Sequence, residues 1–287
     1  MKFLNIAFIY SIFMLKMKAL TFSVIFFTWE FDKILHKFLR PVLFIASILL
    51  IWYGLTEWSG LIAPFRFPSP TETWHSLKII TFKGYGDGLL YQHVLQSVIL
   101  VTSGFLVSSS LGILLGILMG ANKRIEALVN PVFLTLRPVP PLAWIPLAIV
   151  WLGLGDAAKI MVIFIAAFIP AVINTYTGVR SIEVPQREAA AMLGIKQLTY
   201  YREVILPGAL PMIFTGLRLS LQASWTTLVA AELIGATFGL GSILHQAAQD
   251  IYPGMILVGM FTVALSGWLM TLILAKAERW AMPWRPI

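Results

Sequence analysis

Arg137 and a group of residues around position 222 have side chains suited to handling a charged solute. Arg137 lies in an apolar stretch and is followed by prolines at positions 138, 140 and 141. Gln222 and Thr226 fall on one helix face, with Trp225 one turn beyond Gln222. Positive charge and hydrogen-bond donors can replace the water around an anion inside a bilayer. We therefore expect these four residues to line a path for a solute.

Arg137 has a second interpretation, in which its side chain extends from a tilted helix to the cytoplasmic surface. In both cases the helix must break or kink here, because proline lacks the amide N–H and its ring clashes with the preceding turn. Backbone groups freed at membrane depth are tolerated only against protein or a water-filled cavity.

The residue types give little support to other chemistries. The chain contains no cysteine, which excludes disulfides, thiolate nucleophiles and cysteine-bound metals. Its four histidines, at positions 36, 75, 93 and 245, lack the spacing of metal ligands. No G-x-x-x-x-G-K-[ST] motif occurs, so this chain cannot hold a nucleotide phosphate in a Walker A loop. The sequence therefore predicts no metal, no cofactor and no catalytic residue in this chain.

The composition is that of an integral membrane protein. Hydrophobic residues make up 59% of the chain and charged residues 12%, against about 25% charged in a soluble domain. A helix needs about 20 apolar residues to cross the hydrocarbon core. Stretches of this kind lie at about 39–58, 94–120, 127–152, 160–179, 208–234 and 252–275. We therefore predict an all-α membrane protein with six transmembrane helices.

Basic residues divide unevenly between the two sides of these spans. Most lysines and arginines fall on the side that holds both termini, whereas Arg66, Lys78, Lys83 and Lys159 fall on the other. By the positive-inside rule, both termini are therefore expected in the cytoplasm. Membrane orientation also accounts for the net charge of +8, so the lipid bilayer is an expected partner and nucleic acid is not.

The segment before the first span does not fit the six-helix plan. Residues 1–37 form an N-terminal extension, and residues 38–287 form the predicted six-helix domain. Lys16 and Lys18 divide residues 1–29 into two apolar stretches, each too short to cross a bilayer. Three interpretations remain: an interfacial arm, a seventh span with buried lysines, or an extension upstream of the true start at Met17.

The polar segment at residues 180–207 separates the fourth and fifth predicted spans. Pro185 suits a helix start, Glu188 falls in the first turn, and Gly194 can end the helix in a left-handed conformation. A second helix is expected from about Gln197 to Ile205, stopped by Pro207. Two short polar helices between membrane spans predict a docking surface, and a plain cytoplasmic loop is the alternative.

Two smaller patterns concern the elements that position these groups. Ser69-Pro70-Thr71-Glu72 is a capping-box sequence and predicts a short interfacial helix, and a second short helix is expected at about 243–248. Small residues recur every four positions in the second span, which predicts close helix packing along that face. They are Gly104, Ser108, Gly112, Gly116 and Gly120.

The 180–207 segment resembles the EAA loop of ABC importer permeases, by which a membrane subunit grips its ATPase. The resemblance rests on Glu188-Ala189-Ala190, Gly194 and Leu206-Pro207, and departs only at Val204, where that loop usually has isoleucine. It implies an ATPase-coupling role for a set of residues in the first helix. They are Arg187, Glu188, Ala189, Ala190, Leu193 and Gly194.

From about residue 38 to 286, the chain resembles permeases of the nitrate/sulfonate/taurine/bicarbonate group of ABC importers. The Arg-Pro-Val-Pro-Pro-Leu-Ala-Trp run at 137–144 and the Val-Ala-Ala-Glu-Leu-Ile run at 229–234 are closest to taurine permeases. Shorter matches lie at 67–70, 91–93, 151–155 and 206–211. The resemblance implies the six-helix fold of a type I ABC importer permease, with its coupling helix in the 180–207 loop.

The resemblance also implies the partners and the cargo. We expect a permease homodimer in the bacterial inner membrane, a cytoplasmic ATPase dimer that carries ATP and Mg²⁺, and a periplasmic substrate-binding protein. The expected substrate is taurine or another alkanesulfonate, with nitrate and bicarbonate as alternatives. A permease of another ABC subgroup, a secondary transporter and a membrane-embedded enzyme are the competing classes. The last two need features that we do not find: an inverted hydropathy repeat or facing catalytic side chains.

Overall fold

A computed structural model of the chain describes residues 39–63 and 65–284. The chain divides into two compact units, with the boundary between positions 64 and 65. In the first unit, helix α1 (Leu39–Trp58) is apolar and long enough to cross a membrane, and its last five residues form a π-helical turn. The predicted N-terminal extension, residues 1–37, lies outside the described residues.

The regular elements of the second unit are all helices in its described residues. They are α2 (Pro70–Phe82), α3 (Leu90–Ala121), α4 (Lys123–Leu136), α5 (Ile145–Leu152), α6 (Asp156–Arg180), α7 (Val184–Met192), α8 (Gln197–Tyr200), α9 (Leu206–Gly235), α10 (Leu240–Gln249) and α11 (Pro253–Ala281). A 3₁₀ turn at Pro141–Trp144 leads into α5, and a π turn at Tyr201–Ile205 joins α8 to α9. The all-α prediction is confirmed.

Five of the predicted membrane spans are single helices in the described residues. They are α1, α3, α6, the continuous run Gln197–Gly235 that contains α9, and α11. The sixth, predicted at 127–152, is a pair of helices, Lys123–Leu136 and Pro141–Leu152, bent by 83° at their break. The expected break after Arg137 is therefore confirmed, and six spans result when this bent pair is counted as one.

The sequence predicted that Pro207 would stop the second helix of the 180–207 segment. This prediction is wrong, because the helical run continues from Gln197 to Gly235. The helix widens into the π turn at Tyr201–Ile205, where the N–H of Leu206 donates to the carbonyl oxygen of Tyr201. Pro207 then occupies the first turn of α9, a position where its missing N–H costs little. The chain therefore passes into the membrane span without a break.

The small-residue face of α3 packs against α6, as predicted. A Cβ atom added at Gly104 would lie 2.5 Å from the Ile163 side chain, and one at Gly116 would lie 2.6 Å from Thr175. A larger residue at either of these two positions would clash with α6. The two glycines therefore allow α3 and α6 to approach closely. The contact places α6 between α3 and α9 in the centre of the second unit.

The two short helices that were predicted outside the spans are both present. Ser69 caps α2, because its hydroxyl accepts the N–H of Glu72 at 3.2 Å, and Pro70 is the first helical residue. The second short helix, α10, extends from Leu240 to Gln249 and is longer than the predicted 243–248. It packs on α9 and α11.

Candidate functional site

A groove of about 380 Å³ lies between α9 and α11. It brings together three residues that the sequence had assigned to a solute path, Gln222, Trp225 and Thr226. The other lining residues come from both helices and include one cation. They are Arg218, Leu219, Leu221, Val263, Ala264, Gly267, Trp268 and Thr271. The groove is therefore apolar along much of its wall, with the polar side chains of Arg218, Gln222, Trp225 and Thr226 on α9.

Trp225 presents an unsatisfied donor at this groove. The side chain is 6% exposed, and its indole Nε1–H has no hydrogen-bond acceptor among the described residues. Gly267 of α11 faces the ring, and a Cβ atom built there would lie 3.8 Å from Nε1. A buried N–H without an acceptor is costly, so it calls for a partner that the protein itself does not supply.

Arg218 forms an ion pair with Glu278 of α11. The Arg218 side chain is 48% exposed and lines the groove, whereas the Glu278 side chain is 10% exposed. The two residues lie 60 positions apart in the chain, and no pattern in the sequence predicted that they would pair.

Arg137 lies at the break between α4 and the 3₁₀ turn before α5. Its backbone N–H closes α4 by donating to the carbonyl oxygen of Phe133 at 2.9 Å, and the residue is exposed. Arg137 is not among the residues that line the α9–α11 groove. The described structure therefore groups three of the four predicted path residues with Arg218 rather than with Arg137.

A second polar centre, the Glu232 cluster, comprises His93, Ser97, Glu232, Gly239, Leu240 and Gly241. Glu232 is fully buried, and its carboxylate accepts hydrogen bonds from the Ser97 hydroxyl at 2.9 Å and the Gly241 N–H at 2.7 Å. The Ser97 hydroxyl in turn accepts the N–H of Leu240 at 2.9 Å. These bonds fix the start of α10 to α3 and α9.

The glycines of the Glu232 cluster allow this close approach. Gly239 has φ +130, and a Cβ atom there would lie 2.2 Å from a Glu232 oxygen. A Cβ atom at Gly241 would lie 2.6 Å from the Cβ of Glu232. His93 stacks on Phe238 with ring centroids 4.2 Å apart, and its Nδ1 lies 3.1 Å from the Gly239 carbonyl oxygen. The glycines thus bring the backbone at the start of α10 close to Glu232 and His93.

Helix α7 carries the residues that the resemblance assigns to ATPase coupling. It runs from Val184 to Met192, and Gly194 follows with φ +63, the left-handed conformation that was predicted. Ala190 is buried, whereas Glu188, Ala189 and Leu193 are exposed. Arg187 belongs to the helix, but its side chain lies outside the described part of the structure.

The tip of this segment is unusually apolar for an exposed surface. Met192 is 86% exposed, Leu193 is 78% exposed, and Leu198 at the start of the next helix is 81% exposed. The base of the segment is anchored by a core of buried apolar residues from α6, the turn between α6 and α7, the π turn and α9. They are Val179, Ile182, Ile205, Ala209 and Ile213. An anchored base and an apolar tip are typical of a surface that a partner covers.

Comparison of the sequence with known proteins identifies the family of the chain. A family model for binding-protein-dependent transport system inner membrane components matches residues 112–281. The taurine transport system permease protein TauC of Escherichia coli is 36% identical over 241 residues, 84% of this chain and 87% of TauC. The bicarbonate transport system permease protein CmpB of Synechococcus elongatus is 34% identical over 256 residues, 86% of this chain and 91% of CmpB.

Among solved structures, the inward-facing MetNI methionine ABC transporter has the same fold. The TM-score is 0.55 at 20% identity, and the match covers 65% of this chain and 95% of the MetNI chain. The chain thus belongs to the family of binding-protein-dependent transport system inner membrane components, with a type I ABC importer permease fold. Within that family it is a multi-pass permease of the nitrate/sulfonate/taurine/bicarbonate group.

The family assignment also says which subunit uses ATP. The chain is a permease subunit and not an enzyme, and ATP and Mg²⁺ act in a separate ATPase subunit. Within residues 39–63 and 65–284, no three histidine, aspartate or glutamate side chains are grouped to hold a metal ion.

Proposed function

We propose that this permease passes taurine or another small alkanesulfonate from a periplasmic binding protein to the cytoplasm. The protein acts as a homodimer in the inner membrane, with both termini and α7 on the cytoplasmic side. Similarity to both TauC and CmpB leaves nitrate and bicarbonate as alternative cargo. A sulfonate is favoured because the runs at 137–144 and 229–234 resemble taurine permeases.

The observation that carries the proposal is the structure of the α7 segment. A helix that ends at a left-handed Gly194 presents Glu188 and the exposed side chains of Met192 and Leu193 beside a firmly anchored base. Such a surface fits a groove on a cytoplasmic ATPase, where burying the two apolar side chains would contribute about 1.5–3 kcal/mol each. Arg187 and Ala189 belong to the same contact, and Ala190, which is buried, would support it from inside the chain.

The path for the anion is proposed to include the donors of the α9–α11 groove. Gln222 and Thr226 are exposed there, and Trp225 supplies an indole N–H. Arg137 would add positive charge at the break between α4 and α5, beside backbone groups that the prolines leave free. Since capture by the binding protein does not involve these groups, changes at them should affect translocation alone.

The test uses the full chain co-expressed with its ATPase and binding protein. Glu188→Lys and Gly194→Asp are each expected to abolish ATP-driven taurine uptake and to reduce co-purification of the ATPase, while the permease remains in the membrane. An L-residue at φ +63 costs about 1–2 kcal/mol, which acts locally at the tip.

A matched glycine provides the control for backbone strain. Gly60 also has a left-handed φ, +61, and a Cβ atom there would have no neighbour within 4 Å, as at Gly194. Gly60→Asp should therefore retain uptake and ATPase binding. Normal uptake by both Glu188→Lys and Gly194→Asp at normal membrane levels would overturn the coupling assignment. Uptake of nitrate or bicarbonate in place of taurine would reassign the cargo.

A further inference from the structure

We propose that the α9–α11 groove is a transient binding site for an oxyanion, in which Arg218 contacts the anion and Glu278 keeps its binding weak. The inference rests on the proposed function, because it assumes that an anion crosses the membrane through this subunit. It assigns the cationic role to Arg218 in addition to Arg137, and it adds α11 to the path.

The position of Arg218 supports a direct contact. Its side chain is 48% exposed, lines the groove, and is paired on one side only, with Glu278. A guanidinium group carries five N–H donors in a planar fork, so one carboxylate leaves donors that can reach a second acceptor. A small oxyanion in the groove offers that acceptor.

Trp225 supplies a second, independent indication of a ligand. Its Nε1–H is buried without an acceptor in the described residues, and the facing position is a glycine, Gly267. Gln222 and Thr226 extend the same face of α9. Arg218 and Thr226 are eight residues apart, or about 12 Å along the helix axis. The Thr226 hydroxyl already donates to the Gln222 backbone carbonyl oxygen at 3.1 Å. The groove thus provides the Gln222 amide and the Trp225 indole N–H as hydrogen-bond donors, and Arg218 as the cation at its end.

The direction of the two helices sets the order of these groups. Arg218 contacts Glu278, whereas Trp225, further along α9, faces Gly267, which is earlier in α11. The helices are therefore antiparallel, and Arg218 lies at the end of the groove nearest to Glu278. With the start of α9 on the cytoplasmic side, as proposed, an anion that moves toward the cytoplasm reaches the Arg218 guanidinium last.

Glu278 acts as a positioning residue and as a competing anion. Its carboxylate holds the Arg218 guanidinium at the groove, and its negative charge repels an oxyanion bound to the same guanidinium. A transport path requires this balance, because a site that binds too tightly does not release its solute. Removing the charge of Glu278 should therefore tighten anion binding and slow uptake.

The experiment reads anion binding directly at the groove. Ala264 lines the groove on α11 and is exposed, and the native chain has no cysteine. In the Ala264→Cys permease, assembled with its ATPase and binding protein in proteoliposomes, a water-soluble thiol reagent should label position 264. Taurine should slow this labelling, and the concentration for half-protection measures its binding in the groove.

Variants of the pair separate contact from structure. Arg218→Gln combined with Glu278→Gln leaves no unpaired charge, and it should raise the half-protection concentration at least tenfold. Glu278→Gln alone should lower that concentration several-fold and also lower the maximal uptake rate. Gly267→Ala places a methyl group near the indole N–H and should raise the half-protection concentration several-fold.

A charge exchange tests whether the pair is only structural. Arg218→Glu combined with Glu278→Arg restores an ion pair between α9 and α11, but it moves the cation away from the groove. We expect assembly with the ATPase to survive and protection by taurine to be lost. Protection equal to that of the parent would show a structural pair and overturn the inference.

The remaining outcomes distinguish the two proposals. If the parent complex takes up taurine but taurine does not slow labelling at position 264, the groove inference fails and the proposed function stands. If the parent complex takes up none of taurine, nitrate and bicarbonate, the proposed function fails, and the inference that rests on it fails as well.

Discussion

Helix α9 carries two ionisable residues with opposite surroundings, and the contrast is the basis of the different roles that we propose for them. Glu232 is fully buried, and its carboxylate accepts hydrogen bonds from Ser97 and Gly241. Arg218 has a side chain that is 48% exposed, one carboxylate partner and an open groove on its other side. The two lie fourteen residues apart, or about 21 Å along the axis.

The contrast is between a carboxyl group that hydrogen bonds hold in place and a cation that keeps unused donors. A buried carboxylate persists only when its oxygens are bonded, and breaking those bonds leaves costly unpaired donors. The Glu232 cluster therefore holds α3, α9 and the start of α10 together. A half-exposed cation with donors to spare can change partners, which is what a solute path requires.

The largest effect is expected from Glu232→Ala. This change leaves the Gly241 N–H and the Ser97 hydroxyl without their acceptor, at about 1–3 kcal/mol for each buried group. We expect a large loss of folded permease and a lower midpoint of thermal unfolding. Fluorescence-detected size exclusion of the heated, detergent-solubilised complex measures both.

The control for this loss is a glutamate without that environment. Glu183 is exposed, so Glu183→Ala should change the unfolding free energy by no more than about 0.5 kcal/mol. Glu232→Gln should fall between the two, because one amide oxygen remains as an acceptor. Equal stability of Glu232→Ala and Glu183→Ala would show that the hydrogen bonds of the cluster do not hold the three helices together.

A smaller effect is expected where a polar link of α10 is only partly covered. The Tyr85 hydroxyl donates to the Asp250 carboxylate at 2.5 Å, between the loop before α3 and the end of α10. Tyr85→Phe removes this exposed bond and should cost about 1 kcal/mol or less. A loss as large as that of Glu232→Ala would contradict the ranking of the buried over the exposed link.

The same link gives a prediction for pH. Burial, and then the hydrogen bond to Asp250, raise the pKa of the Tyr85 phenol above its ordinary value of 10.0. The folded state therefore favours the protonated phenol, and its contribution is complete below pH 10 and is lost as the pH rises further. The unfolding midpoints of wild type and Tyr85→Phe should differ by a constant amount from pH 6 to 9 and converge above pH 10.

The sequence predicted the elements better than the contacts between them. Apolar stretches located the spans, the prolines after Arg137 located the break, and Gly194 located the end of α7, because each signal is local in the chain. Pro207 was wrongly predicted to stop a helix, since a π turn before it accommodates the proline ring. That widening depends on how the turn packs on α9 and leaves no local signature.

The partners of the ionisable groups were beyond the sequence for a different reason. Ser97 and Glu232 are 135 positions apart, and Arg218 and Glu278 are 60 apart. Nothing in the composition or spacing of either helix says which residues will meet. The periodicity of α9 did predict that Gln222 and Thr226 share a face, and the groove contains both.

The central claim is that one face of α9 lines an aqueous path while the opposite face packs against α6. Single cysteines at Gln222 and Thr226, in the otherwise cysteine-free chain, should react with a water-soluble thiol reagent in at least one nucleotide state of the complex. Cysteines at Ser220 and Ser224 should stay unreactive, because both residues are fully buried. A further variant with a single cysteine at Arg137 tests separately whether the path extends to the α4–α5 break.

The central test is the comparison of positions 220, 222, 224 and 226. Reactivity that alternates in this way along four consecutive even positions is the predicted result, and equal reactivity at all four, or none at 222 and 226, would contradict it.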